Sequence, residues 1–191
     1  EEPDYTVEMA EGSFEVRQYA PMLVASTNVS GERQEAASKG FSPLAGFIFG
    51  DNKPKAKIEM TAPVVQEPER EGAKIEMTAP VVQAPSGDER WTVSFVMPKA
   101  FTSETLPEPT SDTVQVTTMP AERVAAVRFS GVARDKALAE RTAALEKWMA
   151  DNGLTPAGPP RYAYYDPPWR LPFLRRNEVI VPLAPASSEA G

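Results

Sequence analysis

Two glutamates hold equivalent places in a decapeptide that occurs twice, and they are the nearest thing in this sequence to an acid–base pair. Glu59 lies in Lys57-Ile58-Glu59-Met60-Thr61-Ala62-Pro63-Val64-Val65-Gln66, and Glu76 in its unchanged copy, Lys74 to Gln83. Paired carboxylates run acid–base chemistry when their surroundings push their pKa values apart. On the polar side of an alternating strand, beside Lys57 and Lys74, they read first as a solvated face. The other usual reagents are missing. The 191 residues contain no cysteine and no histidine, so a thiol nucleophile, a thiolate metal site, a Ser–His–Asp triad and an imidazole ligand are all excluded. No Gly-rich phosphate loop is present, and no acidic cluster has the spacing of a metal-binding loop. No residue is assigned a catalytic or metal-binding role.

The second stretch with chemical potential runs from Tyr162 to Val179 and packs aromatic residues, prolines and arginines closely together. Rings on a proline-stiffened loop can cover a flat apolar ligand, while guanidinium groups clamp its carboxylates. The alternative is a structural clasp in which Asp166 and Glu178 pair with the arginines and the rings seal the core.

The elements that position these residues follow from periodicity. Each decapeptide alternates Ile, Met and Ala on one side with Glu and Thr on the other, which predicts two strands joined as an antiparallel hairpin. Pro63 and Pro80 should each mark a bulge or an edge. Alternation also predicts strands at 5–9, 14–19, 22–29, 91–97, 113–119, 123–129 and 178–183. A helical stretch from Glu32 to Lys39 is expected to close at Gly40, and a second to restart at Ser42-Pro43. The longest helix is expected over 136–152, capped by Asp135 and ended by Gly153.

A gapless shift of 100 lays Val16 on Val116, Val24-Ala25 on Val124-Ala125, Ser30-Gly31 on Ser130-Gly131, and Asp51-Asn52 on Asp151-Asn152. It predicts a fold of two related ββαβ-type halves with a cleft along the axis between them. The chain is read as one domain over 1–183, with halves at about 5–98 and 113–183 and a disordered tail at 184–191. A net charge of −7 argues against nucleic acid and makes a membrane role less expected, and no run is long enough for a membrane span. The missing initiator methionine and absent cysteine suggest export, with a periplasmic location expected and a cytoplasmic one as the alternative. A monomer is expected.

These same segments resemble the SOUL/haem-binding protein family, bacterial members in particular. The matching pieces are Gly50-Asp51-Asn52, the doubled Lys-Ile-Glu-Met-Thr-Ala-Pro-Val, Val93 to Pro98, Phe129-Ser130-Gly131, Tyr165-Asp166-Pro167-Pro168 and Arg175 to Val179. The resemblance implies an α+β fold, a distorted antiparallel β-barrel with two main helices, related to GyrI-like effector domains. It implies non-catalytic binding of haem or another tetrapyrrole in an apolar groove, for buffering, transport or delivery. Arg170 occupies a basic position that follows Tyr-Asp-Pro-Pro in the family and would meet a propionate; Lys39 lies near another such position on the first helix. Met60, Met77, Trp169 and Phe41 would contact the ring plane. Histidine ligation of iron is impossible here, and binding without a protein axial ligand is expected. The alternatives are an effector or partner-binding domain for another small hydrophobe, and an enzyme acting on a tetrapyrrole through Glu59 or Glu76.

Overall fold

The computed structural model describes residues 2–53, 57–58, 62–68, 90–166 and 169–185. Eleven strands and two helices follow in chain order: β1 (Tyr5–Glu11), β2 (Phe14–Tyr19), β3 (Met22–Ser30), α1 (Arg33–Phe49), β4 (Asn52–Lys53), β5 (Val64–Pro68), β6 (Arg90–Val96), β7 (Glu108–Pro109), β8 (Gln115–Met119), β9 (Glu122–Ser130), α2 (Asp135–Asp151), β10 (Arg161–Tyr164) and β11 (Arg176–Pro182). Nine of the strands form one antiparallel sheet in the order β1-β2-β9-β11-β10-β5-β6-β3-β8, and β4 pairs with β7 apart from it.

That order forces the sheet to curl. Only Ala20 and Pro21 join β2 to β3, a reach of about 10 Å, yet the two strands stand six positions apart in the sheet. Laid flat, six spacings would separate them by roughly 29 Å. Pro120 and Ala121 make the same demand on β8 and β9. The sheet therefore wraps into a curled, barrel-like form with an inner and an outer face.

The duplication is present in the pairing itself. Val16 pairs with Ala125 and Arg17 with Val124; Val116 pairs with Ala25 and Thr117 with Val24. Both sets obey the shift of 100, and each half lends its first strand to the other. The sheet order reads the same from either side of the β10–β5 boundary once β2 is matched to β8, β9 to β3, β11 to β6 and β10 to β5. The pseudo-twofold axis passes through the Tyr162–Gln66 pair.

Strand alternation then sorts the core. On the outer face α2 buries Leu138, Leu145, Trp148 and Met149 against Val16, Ala125, Val127 and Val179. There too α1 buries Leu44, Phe47 and Ile48 against Ala25, Val93 and Phe95. The inner face carries Tyr19, Val124, Ala126, Ala163 and Ile180.

Three expectations change. Helix α1 is continuous, with Gly40 and Pro43 inside it. Gly40 is a contact residue rather than a terminator: a Cβ there would lie 2.7 Å from Cγ2 and 2.8 Å from Cβ of Val93. Asp135 is the first residue of α2, whose N-cap is Arg134 with no side-chain cap; its carboxylate instead accepts a hydrogen bond from Arg33 Nε at 2.7 Å. Finally, Val64, Val65 and Gln66 do not pair with the second decapeptide, because β6 takes one edge of β5 and β10 the other. Pro63 sits just before β5, after a cis peptide bond. Ile58 of the first copy is buried in the core under α1, its N–H donating to the Ile48 carbonyl at 2.8 Å. Glu59, Met60 and the second copy with Glu76 and Met77 lie outside the described residues, as do residues 186–191 of the predicted tail.

Candidate functional site

Residues of both halves meet on the inner face at the pseudo-axis, where Tyr19, Met22, Val24, Val65, Val96, Met119, Val124 and Ile180 surround a small cleft. Its polar wall is Arg161, which donates to both carboxylate oxygens of Glu122 at 2.6 and 2.9 Å and to Glu67 at 2.9 Å. Burial alone would lower the Arg161 pKa, but the hydrogen bond to Glu122 and the charges of both glutamates raise it. The cleft holds about 80 Å³, well below the roughly 300–1,000 Å³ of a drug-sized ligand site. A volume of that size suits a small apolar group.

Beside the cleft the inner face carries a fully satisfied ionic cluster. Arg17 grips Glu178 through two hydrogen bonds of 2.8 Å. Tyr165 donates to the same carboxylate at 2.7 Å and Arg176 at 3.0 Å. Burial would raise the Glu178 pKa, yet the hydrogen bonds and charge of Arg17, with Tyr165 and Arg176 behind them, pull it down to about 2. A carboxylate so firmly ionised is a structural anchor and not an acid–base group. Burial also pushes the Tyr19, Tyr164 and Tyr165 hydroxyls up, so none of these is poised to act as a phenolate ligand to iron.

The motif residue Gln66 joins the two helices' starts to the axis. Its amide donates to the Arg33 carbonyl at 2.8 Å, and its side-chain oxygen accepts from Tyr164 at 3.2 Å. Arg33 in turn donates to Tyr164 at 2.9 Å and to the Ala133 carbonyl at 2.9 Å, a partner 100 residues away.

The β10–β11 loop is the other candidate, and here two of the expected residues come together. Trp169 is 84 % exposed and Phe173 70 %, with Leu171 and Leu174 also exposed. Arg170 lies beside them, paired with Asp166. Asp166 is itself fixed, because its second oxygen accepts from the Arg176 N–H at 2.6 Å, so Arg170 is held in place rather than free to sweep solvent. Pro167 and Pro168 lie outside the described residues. Phe41 is half-exposed on α1 and rests against Phe95 with ring centroids 5.4 Å apart. Phe95 pairs with Val64, and Val64 with Tyr164 at the foot of the loop. Two strand spacings, about 10 Å, thus separate the strand under Phe41 from the strand that leads into the loop. Lys39 is exposed on α1 and paired with Glu35 at 2.6 Å. Among the described residues no cluster of His, Cys, Asp or Glu could hold a metal ion.

Sequence reasoning missed Arg17, Arg161, Met22 and Met119, which gather only through strand exchange between the halves. The shift of 100 signals a cleft along the axis between the halves, but not the strand exchange that brings these residues to it.

A curled antiparallel sheet of two exchanged halves, one helix to each and a cleft on the axis, defines the GyrI-like fold. Solved structures agree. The C-terminal domain of EcmrR is similar with a TM-score of 0.64 at 16 % identity, covering 95 % of this chain and 99 % of that one. A hydrolase from Listeria innocua gives 0.58 at 11 %, covering 93 % and 94 %. Within that fold the chain belongs to the SOUL heme-binding protein family, whose profile matches residues 1–182. Heme-binding protein 2 of Homo sapiens is 44 % identical over 54 residues, 28 % of this chain and 26 % of that protein. The Mus musculus protein of the same name is 43 % identical over 54 residues. The match spans about a quarter of the length of these curated relatives.

Proposed function

We propose that this protein captures haem or a related tetrapyrrole reversibly and without catalysis, on the apolar surface between α1 and the β10–β11 loop. The observation that carries the reading is the loop: four large apolar side chains stand exposed beside a fixed arginine. Soluble proteins rarely leave such a patch uncovered without a use for it. The ring plane would lie against Trp169, Phe173 and Phe41, and Arg170 would meet a propionate. Lys39 is the second basic candidate, and Met60 and Met77 remain proposed contacts by sequence.

Haem, when bound, supplies an iron centre, but this chain offers no imidazole or thiolate to it, and its buried tyrosines are held protonated. Capture by ring packing and charge is therefore the reading, for buffering, transport or delivery.

Titration with hemin and with metal-free protoporphyrin IX tests it. Both should bind saturably, one to one. Arg170→Ala should weaken both by about tenfold or more, the value of a lost charge-assisted hydrogen bond. Binding of hemin alone would replace this reading with iron ligation, and binding of neither would end it. The axial cleft favours a second reading as an effector domain for a smaller apolar molecule; saturable binding of such a molecule with no tetrapyrrole titration is its signature.

A further inference from the structure

The β10–β11 loop has a property that a soluble ligand does not require: charge is segregated around it. The whole chain carries −7, yet from Trp169 to Asn177 it contains Arg170, Arg175 and Arg176 and no carboxylate. The turn that adjoins this loop is basic as well, with Arg128 and Arg134 and no carboxylate between them. The two segments are tied together. The Gly131 N–H donates to the Pro172 carbonyl at 3.0 Å, and the Asn177 amide donates to the Gly131 carbonyl at 2.9 Å. Their joint surface presents Trp169, Leu171, Phe173, Leu174 and Val132 to solvent. Acids from outside the two segments reach them and are all engaged: Asp166 by Arg170 and the Arg176 N–H, Glu2 by Arg176 at 3.0 Å, Asp135 by Arg33, and Glu178 by Arg17, Arg128 and Arg176 in the buried cluster.

We infer that this loop docks the protein on an anionic lipid bilayer, its apolar tip inserted at the headgroup boundary and its arginines against the lipid phosphates. A tryptophan, a phenylalanine and two leucines backed by arginines match the chemistry of an interfacial anchor: apolar burial supplies the hold, and guanidinium groups supply the preference for negative lipid. A short turn held by Pro172 and by the Gly131 N–H that donates to its carbonyl pays little ordering entropy on insertion. The attachment is peripheral, since among the described residues no helix is long and apolar enough to cross a membrane. It places the tetrapyrrole site of the proposed function at the surface of a phase into which such rings partition, but it does not depend on that function.

The test is co-sedimentation with vesicles of phosphatidylcholine alone and of phosphatidylcholine mixed with phosphatidylglycerol, read also by quenching of tryptophan fluorescence with brominated lipid. The protein should sediment with the mixed vesicles, and less so as salt rises. Phe173→Asp should weaken sedimentation by about tenfold or more while leaving the melting temperature unchanged, because Phe173 is exposed. Trp169→Phe should abolish most of the quenching, since Trp148 is buried and Trp91 is half-buried beside Tyr162, away from the loop tip. No sedimentation with either vesicle, unchanged sedimentation of Phe173→Asp, or use of the loop only by a soluble protein partner would each overturn the inference. Hemin titration without lipid separates the two proposals, since either can succeed where the other fails.

Discussion

Glu178→Ala is expected to destabilise the protein by about 3–5 kcal/mol, because it leaves the Arg17 guanidinium buried without its principal counter-charge. In a chain of this length that corresponds to a fall in melting temperature of roughly 10 °C. Glu15 and Tyr19 remain in reach of Arg17 at 2.7 and 3.0 Å, but neither replaces the paired grip of the carboxylate. The same cluster sets the acid response. The folded Glu178 pKa, about 2, lies below the ordinary value of 4.5, so its contribution is fully present above about pH 4.5. It is lost as pH falls from there towards 2, where the folded carboxylate itself takes up a proton. Urea unfolding followed by circular dichroism across that window should show stability dropping in the parent, and a shallower drop in Glu178→Ala. An apolar replacement of both partners, Arg17→Met with Glu178→Leu, should recover part of the loss, since desolvation of the pair opposes its attraction. A Glu178→Ala protein that melts with the parent would show that the cluster contributes nothing to folding.

Why this cluster escaped sequence reading is instructive. Glu178 was noted as a possible partner for the neighbouring arginines of its own segment, and Arg176 does bind it. Its main partner, Arg17, lies 161 residues away on a strand that reads as an ordinary alternating segment. Arg17 reaches Glu178 only because β2 leaves its own half and pairs with β9, with β11 beyond it. The shift of 100 revealed two related halves because periodicity and turn residues are local. It could not reveal the exchange, since alternation states that a strand has two faces and not which strand it will pair with.

The decapeptide shows the same limit from another side. Val64 to Gln66 form a strand, whereas the alternating residues before them, Glu59 to Thr61, lie outside the described residues; a repeated segment invites the assumption that the copies pair with each other. The axis instead sets β5 against β10, and the buried Gln66 ties the motif to Arg33 and Tyr164. The loop was easier. Its segment stands out by composition, because aromatic residues, prolines and arginines so close together have few places to hide, while Trp169 and Arg170 as particular contacts rest on the family resemblance. Net charge is a sum over the chain, and −7 does not report that residues 128–134 and 169–177 carry arginines and no carboxylate.

Gly40→Ala is expected to destabilise by about 1–2 kcal/mol, against the trend for alanine in a helix. Alanine gains about 1 kcal/mol over glycine in a helix interior, so the packing penalty must exceed that. It does, because the new methyl would sit 2.8 Å from the Cβ of Val93 and 3.1 Å from Cγ2 of Val29. A Cβ cannot rotate away, so α1 must lift from β6 and loosen the contacts of Leu44, Phe47 and Ile48. Val93→Ala added to Gly40→Ala should restore only part of the loss, since it removes the Cγ2 contact at 2.7 Å and keeps the one at Cβ. Gly46, two turns further along α1, supplies the control. A methyl there meets Asp51 Oδ2 at 2.6 Å, the free end of an exposed side chain that can swing aside, so Gly46→Ala should be neutral or stabilising by up to about 1 kcal/mol. Thermal melts of the two variants side by side decide the matter. If they shift alike, the close approach to Val93 costs nothing and Gly40 is merely a poor helix residue. If only Gly40→Ala falls, the glycine is where the first helix touches the sheet.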